Sequence, residues 1–208
     1  MKIVAIVQAR LNSSRYPGKV LKKLDSKTLI EILLERLSQS KLINKTIVAV
    51  PKTKQNSKLI EHLKGLGYEL YLGSENDVLD RYYRAAQKFQ AEVIVRITGD
   101  CPLTDYRLVD QIIENFLDNK VDYISNVHPP TFPDGLDVEV FSFSCLKKTW
   151  LETKTISQRE HVTPYIYESG LFKTKNFLNQ NDLSYLRLTV DEKDDLTLVK
   201  EIFDHFKP

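Results

Sequence analysis

The alternation of short apolar runs with segments of helical periodicity limits the fold of this chain more than any other feature. The runs predict strands at 2–7, 46–50, 69–72, 92–98 and 122–125, and the segments between them predict helices at 28–38, 57–64, 76–90 and 106–119. Thr28 and Glu31 form a capping-box pattern at the start of the first helix. Such an alternation favours a mostly parallel sheet with helices on both faces. We therefore predict one Rossmann-like α/β domain over residues 1–208.

Residues 127–136 contain three prolines and a glycine, and this composition predicts a long ordered loop or arm. The pattern beyond it predicts strands at 137–141, 171–177 and 185–190, and helices at 144–152, from Ser157 onward and at 196–206. Ser157 and Glu160 form a second capping-box pattern, and Pro164 is expected to kink or restart that helix. We expect residues 127–182 to form an inserted arm or subdomain that borders a ligand pocket or contacts another subunit.

Composition favours a small ligand. The net charge is +2, and 42% of the residues are hydrophobic, whereas a nucleic-acid-binding protein of this size usually has a larger basic excess. No apolar stretch is long enough for a signal sequence or a membrane span, and the sequence has only two cysteines. These features predict a cytoplasmic protein with neither a nucleic-acid nor a membrane partner.

The first predicted strand leads into a loop that is rich in cations and hydroxyl groups. Its polar residues are Arg10, Ser13, Ser14, Arg15 and Lys19. Arginine offers a planar fork to phosphate oxygens and lysine a mobile point charge, so the loop suits a polyphosphate. The alternative is a solvated basic loop without a ligand. A Walker A motif is absent because Val20 follows Lys19, and the sequence has no GxGxxG dinucleotide-binding pattern.

Two aspartates follow predicted strands at the edge where such sheets bind their ligands. Asp100 comes after the strand at 92–98, and Asp191 comes after the strand expected at 185–190. Mg²⁺ binds proteins through one or two carboxylates together with substrate phosphates, so this pair predicts a Mg²⁺ site beside the basic loop. The alternative for Asp191 is that it caps the final helix, in whose first turn we place Asp194 and Asp195.

The motifs of the chain resemble those of a known enzyme family. Residues Ala9 to Lys19 reproduce the pattern ARxxSxRxPGK of the cytidylyltransferases that activate acidic sugars, the CMP-KDO and acylneuraminate cytidylyltransferase superfamily. The chain is most similar to the branch typified by the spore coat polysaccharide biosynthesis cytidylyltransferase. Further segments that carry this resemblance are GSENDVLDRY (73–82), RITGDCPL (96–103), PDGLDVEVFS (133–142) and REHVTPYIY (159–167). The resemblance implies a fold of the nucleotide-diphospho-sugar transferase type.

The resemblance also implies a role for individual residues. Arg10, Arg15, Lys19 and Asp100 would be catalytic, and Asp100 and Asp191 would hold the metal. The nucleotide would be bound by Ala9, Arg10, Ser13, Arg15, Lys19, Ser74, Asp77, Arg81 and Thr98. The acceptor would be bound by Asp134, Gly135, Asp137, Glu139, Glu160 and His161. Without the resemblance, Glu160 is a capping residue, His161 a helix histidine with a local partner, and Arg81 pairs with a helix neighbour.

The expected activity is therefore Mg²⁺-dependent transfer of CMP from CTP to a sugar acid or to a phosphorylated or phosphonate acceptor, with release of pyrophosphate, in the synthesis of surface polysaccharide precursors. Relatives imply a homodimer. One alternative is a nucleotide-sugar glycosyltransferase, for which Asp137-Val138-Glu139 is the nearest approach to a DxD motif. A second alternative is a nucleotide-binding subunit without catalytic activity.

Overall fold

The computed structural model describes residues 1–206 and contains a seven-stranded sheet in the order β5-β4-β1-β6-β8-β7-β9. Its strands are β1 (Ile3–Gln8), β4 (Lys45–Pro51), β5 (Glu69–Gly73), β6 (Val93–Thr98), β7 (Tyr123–Ser125), β8 (Glu139–Ser142) and β9 (Thr174–Asn176). Strands β2 (Lys23–Leu24) and β3 (Lys27–Thr28) form a separate antiparallel hairpin. The four strands nearest the β5 edge run parallel, β8 is antiparallel to both of its neighbours, and β9 is parallel to β7. The α/β class and the mostly parallel sheet are thereby confirmed.

Helices cover both faces of the sheet. They are α1 (Leu29–Leu37), α2 (Ser57–Gly65), α3 (Val78–Lys88), α4 (Tyr106–Asn119), α5 (Phe143–Glu152), α6 (Ile156–His161), α7 (Pro164–Glu168) and α8 (Lys193–His205). The predicted capping box is present at α1, where Thr28 and Glu31 bind each other's backbone N–H groups. No helix within residues 1–206 is long and apolar enough to cross a membrane.

Strand β1 lies at the centre of the sheet and packs against helices on both sides. Ile3, Ala5 and Val7 join a core cluster with α1, α2 and α4, whereas Val4 and Ile6 join a second cluster with α3 and α5. Alternate side chains of a strand point to opposite faces, so a strand covered on both sides is apolar along its length. This burial fixes the carboxyl end of β1, and with it the position where the basic loop begins.

Several sequence-based boundaries are wrong in the last third of the chain. The expected strand at 171–177 is limited to β9, and residues 185–190 form no strand, because their backbone N–H groups bind two separate segments. The N–H groups of Leu188 and Thr189 donate to the Asp134 carbonyl, whereas that of Val190 donates to the Asp100 carbonyl. Helix α6 is capped by Thr155 rather than Ser157. Pro164 restarts the helix as expected, at the first position of α7.

Candidate active site

The loop after β1 is folded so that Lys19 points inward. Gly18 adopts a left-handed conformation (φ 73°) at the start of a single 3-10 turn over Lys19–Leu21, and its N–H donates to the Leu11 carbonyl at 2.8 Å. Glycine adopts this φ without strain. The Asn56 side chain accepts a hydrogen bond of 2.8 Å from the Leu11 N–H and so holds the loop from outside. As a result, the Lys19 side chain is only 7% exposed.

The Lys19 ammonium binds two aspartates that are far apart in sequence. Its Nζ lies 2.6 Å from Oδ2 of Asp100 and 2.7 Å from Oδ1 of Asp191. Burial alone would raise the pKa of Asp100, but the charge and hydrogen bond of Lys19 outweigh burial and hold that pKa below its ordinary value. Asp100 is therefore ionised at neutral pH, and two carboxylates converge on one cationic centre.

Asp191 is held in place by a second set of cations. Its Oδ2 lies 2.9 Å from the Arg15 guanidinium and 3.3 Å from that of Arg187. The Asp195 carboxylate accepts hydrogen bonds from the backbone N–H groups of Asp191 and Glu192, and Glu192 is the N-cap of α8. The alternative interpretation of Asp191 as the helix cap is therefore wrong, and its carboxylate is free to face the Lys19 centre.

These residues lie at the floor of a cleft of about 250 Å³ at the carboxyl ends of β1 and β6. Five cationic side chains and three carboxylates line it, together with neutral groups from both strands. The lining residues are Gln8, Ala9, Arg10, Ser13, Ser14, Arg15, Lys19, Val20, Val78, Arg81, Arg96, Thr98, Gly99, Asp100, Glu160, His161 and Asp191. Most of the cations come from elements other than those that carry the carboxylates, and the excess positive charge suits a polyanionic ligand.

Gly99 allows the two strand ends to approach each other at this edge. A Cβ atom at position 99 would lie 2.8 Å from the Gln8 carbonyl oxygen and 3.0 Å from Cβ of Ala9. The Gly99 N–H instead donates to that carbonyl at 2.8 Å. A side chain at position 99 would therefore separate the Asp100 turn from the basic loop.

A second cavity, of about 360 Å³, adjoins the cleft. Arg96, Thr98 and His161 line both spaces. The other residues that line the second cavity are Val127, His128, Asp137, Glu139, Thr163, Pro164 and Tyr167. The three shared residues place the two spaces next to each other.

The two carboxylates of the second cavity differ in their partners. Glu139 pairs with the Arg96 guanidinium and accepts a hydrogen bond of 2.7 Å from the Tyr123 hydroxyl. Asp137 has no cation at ion-pair distance within residues 1–206. Burial, followed by repulsion from Asp134 and Glu139, raises the pKa of Asp137 to about 6. Within the described residues, Asp137 thus lacks a direct ionic partner, and the nearby Arg96 charge only partly offsets burial and the repulsion from the other carboxylates.

A sequence profile of the cytidylyltransferase family matches residues 4–204. The chain belongs to the cytidylyltransferase family. The match spans nearly the whole sequence, from β1 to α8. Membership decides against the glycosyltransferase alternative.

Individual proteins support this membership along the full length of the chain. An uncharacterized protein of Methanocaldococcus jannaschii is 44% identical, with 99% of this chain and 85% of the relative covered. The spore coat polysaccharide biosynthesis protein SpsF of Bacillus subtilis is 32% identical, over 97% of this chain and 86% of that protein. The solved structure of a cytidylyltransferase from Leptospira borgpetersenii superimposes with a TM-score of 0.96 at 34% identity and covers 100% of this chain and 89% of that one.

The cleft and the second cavity are lined by most of the site residues that the sequence motifs predict for this cytidylyltransferase. Four of the predicted residues line neither space. Ser74 and Asp77 stand at the start of α3, where Asp77 caps the helix and binds the Arg159 guanidinium at 2.7 Å. Asp134 lies outside both linings, and its backbone carbonyl accepts from Leu188 and Thr189. Gly135 is packed so closely that a Cβ atom there would lie 2.4 Å from the Thr189 nitrogen, so it permits backbone contact.

Three further predicted residues have neighbours that the sequence does not reveal. Arg81 is buried, donates to the Ser74 carbonyl and leaves its Nε without a partner, and burial lowers its pKa. It therefore contacts a backbone group, not the helix neighbour of the alternative interpretation. Glu160 and His161 are exposed residues of α6 and line the cleft. Glu160 is not the N3 residue of its helix, since Thr155 binds the Gln158 N–H.

Sequence reasoning missed several lining residues. Arg96 interrupts the apolar strand EVIVRIT, and a charge inside a buried strand was a signal that could have been used. Gln8 had a similar signal at the end of β1. His128 and Tyr167, whose rings lie 4.0 Å apart, had none, because 38 residues that include β8, α5 and α6 lie between them in sequence.

Asp100 and Asp191 fit a divalent cation by their chemistry and placement. Both are carboxylates and both bind the same nitrogen, so their oxygens already surround one point of positive charge. No group of three or more potential metal ligands occurs within residues 1–206. This donor set suits Mg²⁺, which takes one or two protein carboxylates and completes its shell with phosphate oxygens and water.

Proposed function

We propose that this protein transfers CMP from CTP to an oxygen of a sugar-acid acceptor and releases pyrophosphate. The observation that carries the proposal is the convergence of Asp100 and Asp191 on the Lys19 ammonium at the floor of a cation-lined cleft. Membership in the cytidylyltransferase family supports cytidylyl transfer as the reaction class.

The basic loop is the proposed triphosphate site. Arg10 has no ion pair within the described residues, so its guanidinium is available for phosphate oxygens. Arg15 pairs with Asp191 at an exposed position and can exchange that partner for a phosphate. Together with Lys19, these cations would stabilise the negative charge that grows on the leaving pyrophosphate as the acceptor oxygen attacks the α-phosphorus in line. Ser13 and the Ala9 backbone border the same space.

Asp100 and Asp191 are the residues that would hold Mg²⁺. When bound, the ion supplies charge neutralisation at the phosphate oxygens and polarises the phosphoryl group. Lys19 lowers the pKa of Asp100 and holds the Asp100 and Asp191 carboxylates close together. The protein thus keeps the charged centre arranged before the reaction begins, which removes the cost of reorganising it during the reaction.

The nucleoside is assigned to the cleft and the acceptor to the second cavity that adjoins it. Arg81, with an unpartnered Nε, and the hydroxyl of Thr98 are proposed to contact the nucleotide; Ser74 and Asp77 would act there through the position of α3 rather than by lining the space. The acceptor would extend into the second cavity beside Glu139 and His161. Because a sugar hydroxyl must lose a proton, a basic group near this junction is required for such an acceptor.

The test is a matrix of nucleotides and acceptors followed by pyrophosphate release. The protein would be incubated with Mg²⁺ and each of CTP, UTP, ATP and GTP, alone and with pools of sugar acids or sugar phosphates. We expect release that requires both CTP and a sugar acid. Release with CTP alone would indicate hydrolysis, and calorimetry that detects no binding of CTP with Mg²⁺ would overturn the proposal. CTP binding in the calorimetry without pyrophosphate release from any of the acceptors would indicate a subunit that binds CTP without turnover.

The homodimer remains a prediction, with residues 127–165 as the expected contact. Light scattering coupled to gel filtration measures its mass directly. The polysaccharide-related name of the Bacillus subtilis relative suggests a surface polysaccharide precursor as the product.

A further inference from the structure

The second cavity has the opposite charge to the cleft that it adjoins. The only cationic side chain in its lining is Arg96, and that guanidinium is already paired with Glu139. Asp137 adds a second carboxylate without a cationic partner in the described part of the chain. Arg96, Asp137 and Glu139 together therefore give the lining an excess of one negative charge, although the ligand proposed for the neighbouring cleft is a polyanion.

This charge excludes anionic groups from the cavity. A carboxylate or phosphate placed beside Asp137 would be repelled by it, and the charge of the Arg96 guanidinium is already balanced by Glu139. Glu139 cannot be released cheaply, because it is buried and also accepts from the Tyr123 hydroxyl. The carboxylate of Asp137 is instead suited to accept hydrogen bonds from groups that donate them.

The remaining walls fit a polyhydroxylated ring. Thr98 and Thr163 contribute to the polar lining, and His128 and His161 add ring nitrogens that both donate and accept. Tyr167, whose ring packs against that of His128 at 4.0 Å, adds a flat aromatic wall. A small number of polar groups around an aromatic surface is typical of sites that orient a small ligand.

We propose that the second cavity binds the hydroxyl- or ammonium-bearing part of the acceptor sugar, that it excludes carboxylate and phosphate groups, and that Asp137 determines this specificity. The inference rests on the proposed function, because it takes this cavity as the acceptor site. It adds that two parts of the acceptor are bound at different places. Any acidic group of the acceptor stays outside the second cavity, and the part inside carries hydrogen-bond donors. Asp137 here is a specificity-determining residue that contacts substrate.

Binding in the second cavity can be followed without turnover from the NMR signals of the histidine side chains. The chain has four histidines, and His128 lines the second cavity but not the cleft. Its imidazole protons, assigned by a His128→Gln variant, report occupation of this cavity alone, whereas His62 lies elsewhere, beside Thr28, and serves as an internal control. Titrations would be run with CTP and Mg²⁺ present, so that phosphate-bearing probes are kept out of the cleft.

The probes are glucosamine, glucose and glucose 6-phosphate, which share one ring and differ in charge. We expect glucosamine to shift the His128 signals at about tenfold lower concentration than glucose 6-phosphate, as a single unneutralised carboxylate would produce, with glucose between them. In Asp137→Asn this preference should fall to about twofold or less. The matched control is Asp118→Asn, which removes an exposed carboxylate of α4 and should leave the preference unchanged.

Three results would overturn the inference: glucose 6-phosphate shifting His128 as readily as glucosamine, no response of His128 to glucosamine, or an unchanged preference in Asp137→Asn. None of these depends on catalysis. Failure of the proposed function would instead be detected as absent CTP binding in the calorimetry described above, so the two failures are distinguishable. Melting curves of Asp137→Asn, which we expect to be at least as stable as the wild type, exclude misfolding as the cause of a changed titration.

Discussion

The Lys19 ammonium lies 2.7 Å from the Asp191 carboxylate, although 172 residues separate the two in sequence. This contact joins the loop after β1 to the segment that precedes α8, and the second bond of Lys19, to Asp100, adds the turn after β6. Three distant parts of the chain are therefore held at one point by a single side chain that is almost fully buried. Changes at this point should affect ligand binding and stability in separable ways.

Asp100→Asn should abolish turnover and leave the fold intact. Asparagine keeps the size of the side chain but removes the charge that a metal and Lys19 both require, and loss of such a group costs on the order of 10²-fold or more in kcat. Pyrophosphate release and circular-dichroism melting would be measured together. Asp118→Asn, on the exposed side of α4, is the control and should keep full activity. Activity of Asp100→Asn within a fewfold of wild type would remove Asp100 from the catalytic centre.

Lys19→Met should make the melting temperature of the protein depend more strongly on Mg²⁺. Without the ammonium, Asp100 and Asp191 face each other with no shared cation, and removing one partner of a largely buried ion pair costs roughly 3 kcal/mol. A divalent cation would restore the charge balance, so Mg²⁺ should raise the melting temperature of Lys19→Met more than that of wild type. The double variant Lys19→Met/Asp100→Asn should lose this response. An equal Mg²⁺ effect in all three proteins would argue against a metal site between the aspartates.

Asp137→Asn should stabilise the protein at neutral pH and raise the acceptor KM. The pKa of Asp137 is raised from 3.8 to about 6, so folding favours the protonated form. The stability that this proton contributes is present below about pH 4 and is lost as pH rises through about 6. Asparagine avoids that loss, and with allowance for partial exposure the gain at pH 7 is about 1–2 kcal/mol.

The measurement for this prediction is chemical denaturation of Asp137→Asn and wild type from pH 5 to pH 8, together with the acceptor KM. The stability difference should grow with pH and level off above the pKa of Asp137. Glu139→Gln is the contrasting variant: its carboxylate is paired with Arg96 and Tyr123, so the change should destabilise the fold. A loss of stability in Asp137→Asn at pH 7 would show that the carboxylate has a favourable structural role.

The sequence predicted the first half of the fold well because its elements are strongly periodic. Helix α4 was predicted with the bounds that it has, and the strands around β1 to within one or two residues. These elements are buried on defined faces, so their pattern is set locally. The segment 185–190 looked like a strand but takes its hydrogen bonds from Asp134 and Asp100, which only the tertiary structure brings together.

In the candidate site too, the sequence predicted some residue positions but not the contacts that the tertiary structure forms. Lys19 was predictable from the motif that it belongs to and Asp100 from the end of β6, whereas Asp191 was placed after an expected strand that the structure does not contain. The pairing of Lys19 with both carboxylates was not predictable, since the sequence suggested phosphate as its partner. Similarly, Asp77 was expected at the nucleotide but caps α3 and binds Arg159. Charges chosen for a tertiary partner leave no local pattern, so sequence reasoning finds the charge without its partner.

Arg159 holds helix α6 against the rest of the protein. The helix has six residues and none is buried, yet it carries Glu160 and His161 to the cleft. Arg159 ties it down through Asp77 at 2.7 Å and through the carbonyls of Trp150 and Thr153. Because no apolar face holds α6, loss of this tether should free the helix. Arg159→Ala should therefore raise the acceptor KM about tenfold, by the 1.4 kcal/mol scale of one charge-assisted hydrogen bond.

Asp77→Asn tests the ion pair with Arg159 separately from the capping of α3, because Asp77 takes part in both. Asparagine still accepts the Asp80 N–H as an N-cap of α3, but it cannot form the ion pair with Arg159. We expect faster hydrogen exchange in residues 156–161 for both single variants and unchanged exchange in α3 for Asp77→Asn. The double variant should show no effect beyond that of Arg159→Ala, because the ion pair with Asp77 is already absent in that variant. Additive effects on the acceptor KM would contradict the tether, since they would mean that Asp77 and Arg159 act through separate contacts.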